Sequence, residues 1–198
     1  IFRQKDPAHA SKQTAQRFVV QIGANQGLKR IRDNPLLLRL AIQIYSLQGQ
    51  LIENRAALYR YFLEDVAWDR AKSRGFNSIS KTIALQALDA IAWHFQTQAR
   101  FDIQSVRTVI NNLHDDPDKI IDLLRKGMGI LIYVGSALDR QVAFNHLTFQ
   151  EYFVARRLKT AWLENKSKGW KYIFPRLHHP EWREPILLLE SLQREENP

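Results

Sequence analysis

Apolar residues recur three and four apart along most of this chain, and one stretch, 130–145, replaces that spacing with alternation. A period near 3.6 builds a stripe down one side of a helix, whereas alternation loads one face of a strand. The pattern therefore asks for a mainly α fold with one small β-hairpin. Ala15, Phe18, Val19 and Ile22 predict a helix over 11–26, ended by Gly27. Pro35, whose missing N–H is harmless in a first turn, opens a second helix over 36–47 that Gly49 closes. A third runs from Arg55 to about Lys72 on the stripe Leu58, Phe62 and Val66. Ser80, Asp102 and Asp116–Pro117 then supply caps for three more, the last stopped by Gly127 and Gly129. Ile130–Val134 and Gln141–Asn145, joined through Gly135–Ser136, form the hairpin. Helices followed by a hairpin give the order of a winged helix. Beyond it, Thr148-Phe149-Gln150-Glu151 has the form of a capping box opening a long helix. A basic loop over 166–171 and a helix from His179 to Leu192 complete the reading, the latter resembling the first unit of a HEAT-like array.

With 198 residues the chain can bury a sizeable core without staples, and it has no cysteine to make them. That absence excludes a disulfide framework, a Cys-ligated zinc, an iron–sulfur cluster and a Cys nucleophile, and it fits a reducing, cytoplasmic compartment. The net charge is +9, yet residues 1–40 alone hold eight basic and two acidic residues. Two-thirds of the excess thus lies in the first fifth of the chain, which argues against a polyanion coat over the whole molecule. The chain begins at Ile1 with no leader-like segment, and no apolar run is long enough to span a bilayer. It reads as a soluble piece of a longer protein, with no membrane partner.

Catalytic and cofactor motifs are missing. The eight glycines never assemble a phosphate loop or a dinucleotide fingerprint, and no H-E-x-x-H occurs. Six histidines fall at spacings that suggest no metal site, and Asp115-Asp116-Pro117-Asp118 reads as a capped helix start with favourable first-turn charge. Neither a catalytic residue nor a metal is expected from this piece. Two places stand out. His146 lies between a strand end and a helix start, where free N–H groups favour an anion. Pro35 follows Asn34 after a basic stretch, where its rigid ring could lie flat on a base. On physics alone the plainer readings prevail: a hydrogen-bonded corner histidine and an ordinary helix start.

Those two places fall within a longer pattern. Asn34-Pro35-Leu36-Leu37-Leu38-Arg39-Leu40 resembles the N-P-L-L-L segment of NACHT-type nucleoside triphosphatases, NLR-like members of the STAND class of signalling ATPases. Arg55-Ala56-Ala57-Leu58-Tyr59 is similar to the helix that opens their winged-helix domain. Gly129-Ile130-Leu131 and the run Phe144-Asn145-His146-Leu147-Thr148-Phe149-Gln150-Glu151-Tyr152-Phe153-Val154-Ala155 resemble their winged-helix signature. The resemblance implies a helical lid over 1–52, a winged helix over 53–165 and the start of a sensor region over 166–198. It implies that Pro35 packs on adenine and that His146 contacts the β-phosphate of ADP, holding a closed resting state. It further implies an upstream P-loop domain as partner in cis, ADP or ATP as cofactor of the intact protein, downstream sensor repeats, and self-association on activation for signalling or defence. The Walker segments are absent here, so no hydrolysis is assigned to this piece.

Two other readings compete. Winged helices often bind nucleic acid, but the helix that would enter the groove, near 114–129, carries four acids and three bases. A nucleotide-independent helical adaptor, docking a partner through an apolar face, is the third.

Overall fold

The computed structural model describes residues 7–24, 29–52, 54–136 and 139–194. The chain divides into two compact units, Ile1–Leu58 and Tyr59–Pro198.

The first unit holds α1 (Pro7–Ala24), α2 (Lys29–Arg32) and α3 (Pro35–Gln48). The side chain of Asn34 caps α3 by accepting from the N–H groups of Leu36 and Leu37, at 3.0 and 3.1 Å. Gly49 ends it in the left-handed region, φ +71°, and donates its N–H to the Tyr45 carbonyl. Leu37, Leu40, Ala41, Ile44 and Tyr45 form the buried stripe of α3, and Phe18 of α1 meets Tyr45 edge-on at 5.2 Å. The stop expected at Gly27 lies outside the described residues.

A continuous helix follows over 55–73: α4 (Arg55–Arg60), a π-helical segment (Tyr61–Val66) and α5 (Ala67–Ser73). The π turn corrects the expected stripe. Its wider turn places Tyr59, Leu63, Ala67 and Ala71, each four apart, in the interior, while Phe62 and Val66 are only half-buried.

The rest of the second unit runs α6 (Lys81–His94), β1 (Phe101–Asp102), α7 (Ile103–Asn111) and α8 (Pro117–Asp122). A second π segment (Leu123–Gly127) leads on to β2 (Leu131–Val134) and β3 (Gln141–Phe144). The sheet is antiparallel in the order β1-β3-β2, with Phe101 opposite Val142 and Tyr133 opposite Val142 on the other side. Helix, short strand, two helices and a hairpin that clasps that strand make a winged helix. Gly135 makes the hairpin turn possible: its φ is +88°, and a Cβ there would stand 2.3 Å from the Asp139 carbonyl oxygen. Three caps act as the side-chain pattern required: Ser80, Asp102 and Asp116 accept from the N–H groups of Ile83, Ser105 and Lys119.

Behind the sheet lies α9 (Leu147–Glu164), which buries Phe149, Tyr152, Phe153, Val154, Ala155, Leu158 and Ala161. Against α9 pack α10 (Lys166–Ile173) and α11 (Arg183–Arg194), linked by 3₁₀ turns at Phe174–Arg176 and Pro180–Trp182. The expected basic loop over 166–171 is therefore a helix. Asn165 starts it by accepting from the N–H groups of Ser167 and Lys168, and Gly169 lets it approach Trp162 more closely than a side chain would permit. Among the described residues no helix is long and apolar enough to cross a membrane.

Candidate functional site

The corner between β3 and α9 is strapped from both sides. Asn145 donates its backbone N–H to the Ile130 carbonyl at 2.8 Å and its side-chain amide to the Gly129 carbonyl at 3.2 Å. That fixes the strand end and delivers His146, in extended conformation, to the N-cap of α9. The helix thus starts one residue before the expected Thr148, and the capping box does not form. His146 is the cap instead: its Nδ1 accepts from the Thr148 N–H at 3.3 Å and lies 2.8 Å from Thr148 Oγ1. A backbone N–H can only donate, so Nδ1 carries a lone pair and a neutral ring holds its proton on Nε2. The ring is exposed, stands 5.9 Å from the Phe149 ring, and its Nε2 has no partner among the described residues. Chemically this is a fixed N–H donor beside the positive end of an 18-residue helix.

The residues that follow His146 do different work. Gln150 is buried and donates to the carbonyls of Phe95 and Gln98, at 2.7 and 3.3 Å. Phe149 packs among Tyr59 and Phe62. Tyr152 donates its hydroxyl to Glu64 at 2.6 Å, and Arg156, one turn on, bridges Glu64 at 3.1 Å and Asp89.

This part-buried cluster was not singled out from the sequence. Glu64 sits in the first π segment, Asp89 on α6, and Tyr152 and Arg156 on α9. Burial pushes the Asp89 carboxyl up to about 7, against the opposing pull of Arg156. Burial also works against the Arg156 charge, but Asp89 and Glu64 outweigh it and hold the guanidinium above its ordinary value. Burial and Glu64 lift the Tyr152 hydroxyl well above its usual range. Asp89 keeps one oxygen with no hydrogen bond, and it lies in the wall of a cavity of about 490 Å³ with Gln86, Trp93, His94 and Arg157. An arginine at i+4 from a tyrosine on an otherwise apolar helix face was the available signal, since a buried cation requires a buried acid.

Pro35 is exposed at the first position of α3, with Arg39 exposed one turn further along. It belongs to the first unit and His146 to the second. The Asp115–Asp118 segment is a capped helix start: the Lys119 side chain and N–H hold the Asp116 carboxyl below its ordinary value, and Asp118 pairs with Arg107 at 2.9 Å. Among the described residues no group of His, Asp and Glu is placed to hold a metal ion. No protein-family model matches this chain, and no curated protein is significantly similar to it.

Proposed function

We propose that this chain is the regulatory lid and winged-helix portion of a STAND-class, NACHT-type nucleoside triphosphatase. In this reading an upstream P-loop domain in cis supplies the phosphate-binding and hydrolytic groups. Pro35 offers a flat apolar surface to the base, and His146 donates Nε2–H to the β-phosphate of ADP. A contact made in one arrangement and lost in another shifts a two-state equilibrium only by its differential binding. His146 would bias the parent protein toward its closed, ADP-bound state, and exchange for ATP would release the winged helix for self-association. The observation that supports this most directly is the geometry of His146. Its Nδ1 is engaged by Thr148, its Nε2 is unpartnered among the described residues, and it lies at a helix N-terminus.

The test exploits that division of labour within one ring. Asparagine is a strong N-cap but cannot present a donor where Nε2 stands. In the intact protein, His146→Asn should keep the thermal stability, release ADP faster and raise basal oligomerisation. Unchanged ADP release in a folded His146→Asn protein would refute the assignment.

Nucleic-acid binding by the winged helix gains nothing from the charge arrangement. Lys119 pairs with Asp116, and Arg125 and Lys126 share Asp122, so the helix that would meet the phosphates neutralises its own bases.

A further inference from the structure

The eleven residues Lys166-Ser167-Lys168-Gly169-Trp170-Lys171-Tyr172-Ile173-Phe174-Pro175-Arg176 contain four bases and no acid. Gly169 and Ile173, four apart, face inward, and a Cβ on Gly169 would lie 2.8 Å from the Trp162 ring. That close approach sets the rotation of α10 on α9. The adjoining stripe is then left outside. Trp170 and Phe174, also four apart, are 50% and 70% exposed; Leu163, at the end of α9, and Leu177, after the 3₁₀ turn, are also exposed, at 63% and 46%. The Trp170 ring is held edge-on against Trp162 at 5.6 Å, so it is fixed in place. Around this stripe Lys166 and Lys171 are exposed and make no ion pair among the described residues, while Lys168 pairs with Glu164 at 2.5 Å.

We propose that this face is a peripheral docking surface for an anionic lipid bilayer. A tryptophan suits the boundary between headgroup and acyl chain, and phenylalanine and leucine suit the hydrocarbon below it. The unpaired lysines complement negatively charged headgroups. Trp170 and Phe174 leave half or more of their surface exposed, which a yielding lipid surface can cover. The leucines offer no stacking plane, so the composition favours lipid over a single-stranded nucleic acid. The sequence-based expectation of no membrane partner rested on the lack of a spanning run, and a helix lying on a surface needs none. The proposal stands apart from the nucleotide reading and uses none of its residues.

Sedimentation of the 198-residue chain with phosphatidylcholine vesicles, with and without phosphatidylserine, tests it. Binding should require phosphatidylserine and fade with added salt. It should fall about tenfold in Lys166→Glu/Lys171→Glu and by a similar factor in Phe174→Ser. Phe174→Ser carries the test because its ring is mostly exposed, whereas Trp170 also braces Trp162; the melting temperature of each variant confirms that it folds. Equal sedimentation with neutral vesicles, or binding that Phe174→Ser leaves unchanged, would overturn the proposal. So would a single-stranded oligonucleotide that binds more tightly through the same residues, which would make this a nucleic-acid surface.

Discussion

At the scale of single residues, the sharpest consequences come from buried polar groups. Asp89 has its carboxyl raised to about 7 by burial, far above the value of an exposed aspartate. Between about pH 4 and 7 the folded chain therefore holds a proton that the unfolded chain has released. Folding stability contributed by this group is present at low pH and lost as pH rises through 7. Asp89→Asn removes that titration while keeping an acceptor for Arg156. The melting temperature of the variant relative to the native chain should climb from pH 5 to pH 8, and a constant difference across that range would refute the raised titration of Asp89. Gln150 is a simpler case. Replacing it with Ala removes a buried side-chain donor from the Phe95 carbonyl, which keeps only the Gln98 N–H, and leaves a small cavity, so we expect a loss of about 2 kcal/mol in denaturant unfolding. His146 illustrates what a sequence conveys and what it hides. Its place at a strand-to-helix corner was readable from Phe144 and Thr148, but its role as the cap was not, because Thr148, two residues on, is itself a good cap.

At the scale of elements, caps were the most legible feature. Ser80, Asp102 and Asp116 each act as the caps expected of them, because a short polar side chain before an apolar period has few other uses, and Asn34 proves to be a further one. The two π segments were illegible. Inserting one residue into a turn leaves the residue types unchanged and shifts only the phase, so the stripe on 55–73 was drawn through Phe62 and Val66 instead of Leu63 and Ala67. A two-residue strand such as β1 has no period at all; only its pairing with β3 defines it. In α10 three lysines and a glycine resembled a loop, and the glycine proves to be what lets the helix close on α9. Gly169→Ala should therefore destabilise despite alanine's higher helix propensity. Its Cβ would meet the Trp162 backbone at 3.0 Å as well as the ring, an overpacking that costs about 1–3 kcal/mol. A stability gain on that substitution, measured by thermal unfolding, would show that α10 is free to move off α9.

At the scale of the whole molecule, the net charge of +9 conceals two separate accumulations, one in the first 40 residues and one on 166–176. In the winged helix between them, Lys81 pairs with Asp65, Arg107 with Asp118, Lys119 with Asp116, and Arg125 and Lys126 with Asp122. Its core is closed on itself: Leu88 and Ile91 of α6, Val106 and Ile110 of α7, Ile120 of α8, Leu131 and Val142 of the sheet, and Tyr152 and Phe153 of α9 are all essentially inaccessible. The division between Leu58 and Tyr59 falls inside a continuous helix, so a clean cut belongs before it, at Asn54, whose side chain caps α4 by accepting the Ala56 N–H at 2.8 Å. A chain of residues 54–198 retains that cap, both π segments and every strand. It should fold alone and unfold in one cooperative step, since its apolar interior is supplied by its own helices and sheet. Far-UV circular dichroism against denaturant, followed in parallel by tryptophan fluorescence, checks this. Coincident transitions are the expected result. A broad, probe-dependent unfolding would mean that residues 1–53 form part of the same cooperative unit and that the division at residue 58 marks no boundary in folding.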